Sequence, residues 1–366
     1  MEMETTKLEQ TKVNKQMEES QFKLPAGSRV LVTGATGFTG AVFIRKLVAQ
    51  GLDIVAIARP SSKLEPFNGM KIEWIKGDVF DEALIEKAVK GVNYIFHIVT
   101  PFREAKSADN VYHNVHVLST QLLAKYALKQ PNFKRFVHIS TIGVHGHVEN
   151  PPGDESCPYS PGDIYQETKL EGELWIRDFA KKEGLPLTVV RPSIIYGPGD
   201  QRLLKIFKMV RRKWVPSIGN GGNLLHLIHV DDLTNFFILA ATHPQAVGEV
   251  FICGNKEAVT FKKMVSIISE YYGVKARFIS LPAAPLFALA DFCELICRPL
   301  GIEPPIYRRR LAFYTKDRSF NTEKMRNVLG FIPAHSDEEG LRESAQWYID
   351  KGWIPTEKTK LKSAKA

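Results

Sequence analysis

Tyr165 and Lys169 stand four residues apart in Tyr165-Gln166-Glu167-Thr168-Lys169, inside a segment whose pattern predicts a helix from about Tyr165 to Lys182. Residues four apart share one helix face, so the ammonium lies beside the phenol. A tyrosine is a poor base at its ordinary pKa of about 10. A neighbouring cation stabilises the phenolate, and the pair can then exchange a proton near neutral pH. YxxxK is common by chance, and it gains weight here from Ser140-Thr141, which ends the apolar run beginning at Arg135. Hydroxyls at the C-terminal end of a strand in an open α/β sheet sit where ligands bind, within reach of a substrate carbonyl.

A second constellation lies upstream. Gly34-Ala35-Thr36-Gly37-Phe38-Thr39-Gly40 follows the apolar run Arg29 to Thr33 and precedes a helical pattern from Ala41 to Gln50. Glycines there permit a tight turn and let backbone N–H groups at a helix N-terminus approach a pyrophosphate. The strand–turn–helix context makes Gly34, Thr36, Gly37, Phe38, Thr39 and Gly40 candidate cofactor-binding residues. The next run, Asp53 to Ala58, ends at Arg59, where NAD-specific sites usually carry a carboxylate. A guanidinium suits a 2′-phosphate through charge-assisted bonds. NADP(H) is therefore the preferred cofactor; NAD(H) stays open, because Arg59 can also be read as a solvated loop residue. Asp78, followed by Val79, ends a third run and is placed to hydrogen-bond an adenine.

These residues need a scaffold that brings strand ends together. Short apolar runs at 29–33, 53–58, 71–76, 93–99, 135–140 and 187–191 alternate with helical patterns, one of them continuous from about Asn110 to Lys129. That alternation reads as βαβ units with a buried parallel sheet. The expected fold is α/β, a Rossmann-type doubly wound parallel sheet with a smaller, mostly helical C-terminal substrate lobe. Residues 1–25 read as a polar leader without order, and 26–194 as the dinucleotide-binding domain, to which 226–252 return. Residues 195–225 and 253–355 read as the substrate lobe, and 356–366 as a Lys-rich tail.

The 366 residues carry a net charge of +9, with 44% hydrophobic and 24% charged residues. The basic residues are scattered apart from Arg211-Arg212-Lys213, Arg308-Arg309-Arg310 and the tail, with no aromatic-interleaved stripe, so no nucleic-acid partner is expected. Cys157, Cys253, Cys293 and Cys297 are too few for a disulfide framework. The leader lacks the apolar core of a secretory signal. A cytoplasmic location is the default, and no metal site is expected. The stretch 278–302 is apolar but broken by prolines and by Asp291, Glu294 and Arg298. It is too charged to span a bilayer, and reads as ordinary packing, a lid over an apolar pocket, or a peripheral membrane contact.

The segments TGATGFTG (33–40), Gly77-Asp78, HISTIGVHG (138–146), Tyr165…Lys169, RPSIIYGPGD (191–200) and HVDD (229–232) resemble, in order and spacing, the extended short-chain dehydrogenase/reductase family of the NAD-dependent epimerase/dehydratase type. The likeness runs from Ser28 to Trp353 and is nearest to the 3β-hydroxysteroid dehydrogenase-like group. It implies Tyr165 as acid/base and Lys169 as its electrostatic and ribose-binding partner. It also implies Thr141 at the substrate-hydroxyl position with Ser140 before it, and Pro192 and Ser193 beside the nicotinamide. A homodimer is compatible with it. The family's frequent Asn falls on His116, with Asn114 the counterpart only under a shifted alignment. His145 and His147 read as cleft-lining residues, His97 and His229 as structural ones.

Within that family, nucleotide-sugar enzymes usually carry an Arg meeting the diphosphate, at a position that here falls in Leu225-His226-Leu227, and dehydratases an acidic pair where Ile142 and Gly143 stand. The expected reaction is NAD(P)-dependent interconversion of a secondary alcohol and a ketone on a bulky apolar substrate, 3β-hydroxysteroid-like or β-hydroxy/keto acyl. The alternatives are a nucleotide-sugar epimerase/dehydratase and a non-catalytic dinucleotide-binding regulatory protein.

Overall fold

The computed structural model describes residues 22–101, 109–297, 299–300, 302, 304–306 and 308–355. Most of the expected leader and all of the expected tail lie outside these residues. The chain begins as strand β1 (Arg29–Thr33), helix α1 (Phe38–Ala49), β2 (Asp53–Ala58), β3 (Glu73–Lys76), α2 (Glu82–Val89) and β4 (Tyr94–His97). The helical stretch predicted as continuous over 110–129 is interrupted: α3 (Asp109–His113) passes through a π-turn (Asn114–Leu118) into α4 (Ser119–Ala127). β5 (Arg135–Ile139), α5 (Ile164–Glu183) and β6 (Leu187–Pro192) complete the alternation.

Strands pair in the order β3-β2-β1-β4-β5-β6-β11, where β11 is Val250–Cys253, and every pairing is parallel. This is the doubly wound sheet expected from the pattern. Both faces are covered because successive strand residues point to opposite sides. Val30, Val32, Phe96 and Val137 pack with Phe43 of α1 and with Phe236 and Phe237 of a later helix, α7 (Val230–Thr242). Leu31, Ile95 and Phe136 pack on the other side with Leu123 of α4 and Ile176 of α5. The strand order reverses between β1 and β4, and parallel pairing puts the C-terminal ends of β1, β2, β4, β5 and β6 along one edge, where such sheets open a crevice.

After β6 the chain leaves the sheet. Short strand β7 (Ile194–Tyr196), α6 (Leu204–Arg211), β8 (Trp214–Ile218), β9 (Leu224–Leu225) and β10 (Leu227–His229) precede α7 and β11. β12 (Val259–Thr260), α8 (Phe261–Tyr271), β13 (Arg277–Leu281), α9 (Ala283–Cys297), α10 (Arg308–Thr315), α11 (Glu323–Leu329) and α12 (Asp337–Asp350) follow. Part of this lobe gathers around Phe207, Val210, Val215, Phe261, Met264, Leu341 and Tyr348. It is mostly helical, but 278–302 includes most of a strand: β13 runs parallel to β8. Among the described residues no helix is long and apolar enough to cross a membrane.

Candidate functional site

The turn after β1 is built around two glycines that tolerate no side chain. Gly34 has φ +74°, and a Cβ there would lie 2.8 Å from Val99 Cα; on Gly40 it would lie 2.1 Å from Gly34 O. Gly37 caps α1 without a side-chain hydrogen bond, and the first turn of α1 holds no acidic residue. The turn thus presents backbone N–H groups and the positive end of a helix, undiluted by a carboxylate, and fits a dinucleotide's pyrophosphate. Thr36 Oγ1 approaches Ser62 Oγ at 3.5 Å, which ties the turn to the loop after β2, where Arg59 is exposed. Asp78 is exposed after β3, and Val79 is buried beside it. Pro192 ends β6 and Ser193 is buried, its Oγ without a hydrogen-bond partner among the described residues.

α5 starts at an Asp163 cap whose side chain accepts from Gln166 N, and its first turns point Tyr165 and Lys169 at the sheet. Both are nearly buried, 7% and 3% exposed. Lys169 Nζ donates to Val99 O at 3.2 Å and to Ile139 O at 3.0 Å, which fixes the ammonium across the ends of β4 and β5. The Tyr165 ring stands edge-on to His116, with centroids 5.3 Å apart. His116 is held from both sides: Nδ1 lies 2.8 Å from Thr168 Oγ1 and Nε2 lies 3.1 Å from Thr100 Oγ1. Thr168 Oγ1 donates to Ile164 O at 2.7 Å, so His116 Nδ1–H donates to Thr168 and its Nε2 accepts from Thr100. His116 therefore buttresses the tyrosine ring.

Beyond β5, Thr141 Oγ1 accepts from Gly143 N at 3.0 Å and caps a short 3₁₀ turn, Ile142–His145. Thr141 is half-buried, whereas Ser140 is buried at the side of Glu173. Two neutral histidines surround Lys169. His97 is pushed well down by burial, then by His138 and Lys169, and burial followed by the Lys169 charge lowers His138 to about 3. His97 links the ends of β4 and β1 to the start of α4, with Nδ1 2.8 Å from Thr33 Oγ1 and Nε2 3.1 Å from Ser119 Oγ.

Sequence reasoning missed a buried ion pair beside the site. Arg191 of β6 and Glu173 of α5 are both fully buried, at 2.6 and 3.1 Å. Burial would raise the Glu173 carboxyl, but the Arg191 hydrogen bonds and charge outweigh it and hold it below the usual range. Arg191 also donates to His145 Nε2 at 2.9 Å and Tyr159 Oη at 2.8 Å. His145, expected to line the cleft, is instead buried as an acceptor in this network, because Arg191 needs partners for every N–H it takes out of water. The signal in the sequence was Arg191 itself, a cation at the end of the otherwise apolar run 187–191. His147 is exposed and accepts from Asp317 N.

Among the described residues, His229, His335 and Glu343 form a potential metal cluster, yet their hydrogen bonds argue otherwise. His229 Nδ1 accepts from Asp231 N, which leaves the proton on Nε2, the nitrogen 3.3 Å from Glu343 Oε2 that a metal would need bare, and the Asp232 hydrogen bond raises His335, favouring its protonated form. The stacked rings pin α7 to the start of α12.

The profile of the NAD dependent epimerase/dehydratase family matches residues 30–254. The chain belongs to this family. Family membership and the doubly wound sheet make it a dinucleotide-dependent protein of the epimerase/dehydratase type. It is 27% identical over 326 residues to 2-alkyl-3-oxoalkanoate reductase of Stenotrophomonas maltophilia, covering 86% of this chain and 97% of that one. It is 26% identical over 347 residues to 3beta-hydroxysteroid-dehydrogenase/decarboxylase isoform 2 of Arabidopsis thaliana, covering 86% of this chain and 61% of that longer protein. The structure of UDP-glucose 4-epimerase from Thermotoga maritima superimposes with a TM-score of 0.72 at 22% identity, covering 89% of this chain and all of that one.

Proposed function

We propose that the protein interconverts a secondary alcohol and a ketone on a bulky apolar substrate, 3β-hydroxysteroid-like or β-hydroxy/keto acyl, with NADP(H) preferred. The observation that carries this reading is the buried Tyr165–Lys169 pair, with Lys169 Nζ held by Val99 O and Ile139 O at the edge of the sheet where the glycine turn opens. The nicotinamide, when bound, supplies or accepts the hydride. In the oxidative direction Tyr165 Oη takes the proton of the substrate hydroxyl, and in reduction it returns one to the carbonyl oxygen. Lys169 stabilises the phenolate and holds the ribose, and Thr141 positions the substrate oxygen, with Ser140 behind it. Gly34, Thr36, Gly37, Phe38, Thr39 and Gly40 seat the pyrophosphate, Arg59 the 2′-phosphate, Asp78 and Val79 the adenine, and Pro192 and Ser193 the nicotinamide.

Two features favour an apolar substrate over a nucleotide sugar. Leu225 is wholly buried in the lobe's core and His226 is bound to Phe320 N and Asn255 O, so neither reaches a diphosphate. Two of the relatives that the chain resembles are named for a hydroxysteroid and an oxoalkanoate. Turnover with hydroxysteroids, β-hydroxy/keto acyl compounds and UDP- or GDP-sugars tests the reading. Saturable, cofactor-consuming turnover of the first two classes is expected, and Tyr165→Phe should lower kcat by about 10²–10⁴-fold with cofactor affinity nearly intact. Epimerisation of a nucleotide sugar without net change in cofactor redox state, or near wild-type turnover by the Phe variant, would overturn it.

A further inference from the structure

Residues 316–318 join the C-terminal lobe to the loop that follows Thr141. On the lobe side Asp317 Oδ1 accepts from Leu224 N at 2.8 Å, and Arg318 N donates to Leu224 O at 3.0 Å. On the other side Asp317 N donates to His147 Nδ1 at 3.1 Å, and Asp317 O accepts from Val148 N at 3.2 Å. Bound from both sides, the segment holds Lys316 over the start of α5. A Cβ on Gly162 would lie 3.4 Å from Lys316 Nζ and 3.7 Å from Gln166 Oε1, and Tyr165 follows on the same turn. Gln166 leads on to Thr141, because a Cβ on Gly143 would lie 3.3 Å from Gln166 Cγ and 3.2 Å from Thr141 Oγ1. Gly162, Gln166 and Gly143 thus bridge the short way from the ammonium to the hydroxyl. Gly162 is exposed and Thr141 and Lys316 are half-buried, so one ligand can touch both ends.

The charge at Lys316 is not met within the fold. Among the described residues its Nζ has no hydrogen-bond or ion-pair partner. Partial burial disfavours its charged form, and Arg318 repels it further; Asp163 attracts it from beyond ion-pair distance, and Arg308 repels it. An ammonium partly out of water beside a second cation gains most from an anion brought to it. We infer that Lys316 binds a carboxylate of the substrate, so that the protein takes a hydroxy or keto acid rather than a neutral sterol. The inference rests on the alcohol–ketone reading above and chooses between its two substrate classes. A carboxylate suits the place better than a diphosphate, which brings more charge than one free ammonium can meet. The short way to Thr141 fits an acid whose carboxylate stands a few bonds from the reacting carbon, with its apolar chain extending elsewhere. Lys316 is then a specificity-determining residue and takes no part in the hydride or proton transfer.

Oxidation of 3-hydroxydecanoate and of its methyl ester by the full chain with NADP⁺ tests the inference. The ester removes the charge and keeps the chain and the reacting hydroxyl. The parent should prefer the acid by roughly tenfold or more in kcat/KM. Lys316→Gln should abolish that preference by raising KM for the acid roughly tenfold or more, with kcat within about twofold of the parent. Lys316→Arg keeps the charge and should retain most of the preference. A parent that does not distinguish acid from ester, or a Lys316→Gln variant that still prefers the acid, would overturn the inference and leave the alcohol–ketone reading standing. So would turnover of a neutral hydroxysteroid with none of the acid. Epimerisation of a nucleotide sugar with no oxidation of any of these alcohols would remove the reading and the inference together.

Discussion

Arg59 sits at the end of β2 on the same sheet edge as the glycine turn, exposed and joined to that turn through Ser62, whose N–H donates to Arg59 O at 2.9 Å. A charge-assisted bond from it to a 2′-phosphate is worth about 1–3 kcal/mol. Arg59→Ala should therefore weaken NADP(H) by about 5- to 150-fold and leave NAD(H) nearly unchanged. Titration of both cofactors against both proteins checks this, and tighter NAD(H) binding by the parent would refute the preference while leaving the fold untouched. At this scale the sequence revealed what was local. Tyr165 and Lys169 announce themselves because helical spacing alone brings them together. The Arg191–Glu173 pair did not, because it joins β6 to α5 and exists only once α5 lies on the sheet. For the same reason His145 reads as a cleft residue from its neighbours and becomes a buried acceptor when Arg191 arrives from another strand. His116 shows the converse: its type departs from the family's frequent Asn, and only its two threonine partners reveal what holds it.

Among elements, the β1–α1 turn gives the sharpest test. A Cβ on Gly40 would meet backbone, Gly34 O at 2.1 Å and Ala35 Cα at 2.8 Å, which cannot rotate away as a side chain would. Gly51, at φ +70°, has open space around it, so a side chain there costs only the left-handed backbone penalty of about 1–2 kcal/mol. Gly40→Ala should lower cofactor affinity at least tenfold and depress the melting temperature, whereas Gly51→Ala should lower the melting temperature modestly and leave affinity alone. Equal affinity losses in the two variants would show that the turn geometry is not what binds. The parallel strands were legible because buried runs of this kind are nearly continuous in apolar residues. The break between α3 and α4 was not, since a π-turn changes register without changing composition. Its cause is tertiary: α5 approaches so closely that a Cβ on Gly172 would lie 2.5 Å from His116 O. β13 escaped notice because its exposed Arg277–Ser280 lacks the buried run of a core strand, and it pairs with β8 across a long separation.

Across the whole molecule, the striking imbalance is between histidines buried neutral and groups that gain protons on folding; the net charge of +9 was visible in the sequence, but which ionisable groups folding buries was not. Burial holds His138 at about 3 and His226 at about 4, and keeps His97 and His145 low as well. Such a group binds its proton only in the unfolded chain, at an ordinary value near 6.5, so the unfolded state carries more protons on acidification and stability falls as pH drops below 6.5. His138 and His226 should each contribute a loss of about 2 kcal/mol between pH 7 and pH 5. Four groups act the other way, Glu155 and Glu343 among them, whose carboxyls burial raises above their usual range. Burial raises Asp337 to about 6, offsetting about 1 kcal/mol over the same interval, and the hydrogen bond and charge of Asp232 raise His335. The histidines prevail. Urea unfolding should therefore show stability declining steadily from pH 7 to pH 5, before most carboxylates titrate. His138 offers the cleanest variant because, among the described residues, neither of its buried ring nitrogens has a hydrogen-bond partner. His138→Leu removes that desolvation cost, so at pH 7.5 the variant should be at least as stable as the parent, and its decline towards pH 5 should be shallower by about one proton's worth of slope. Stability that rose on acidification, or an unaltered slope in the variant, would mean that His138 meets water in the fold.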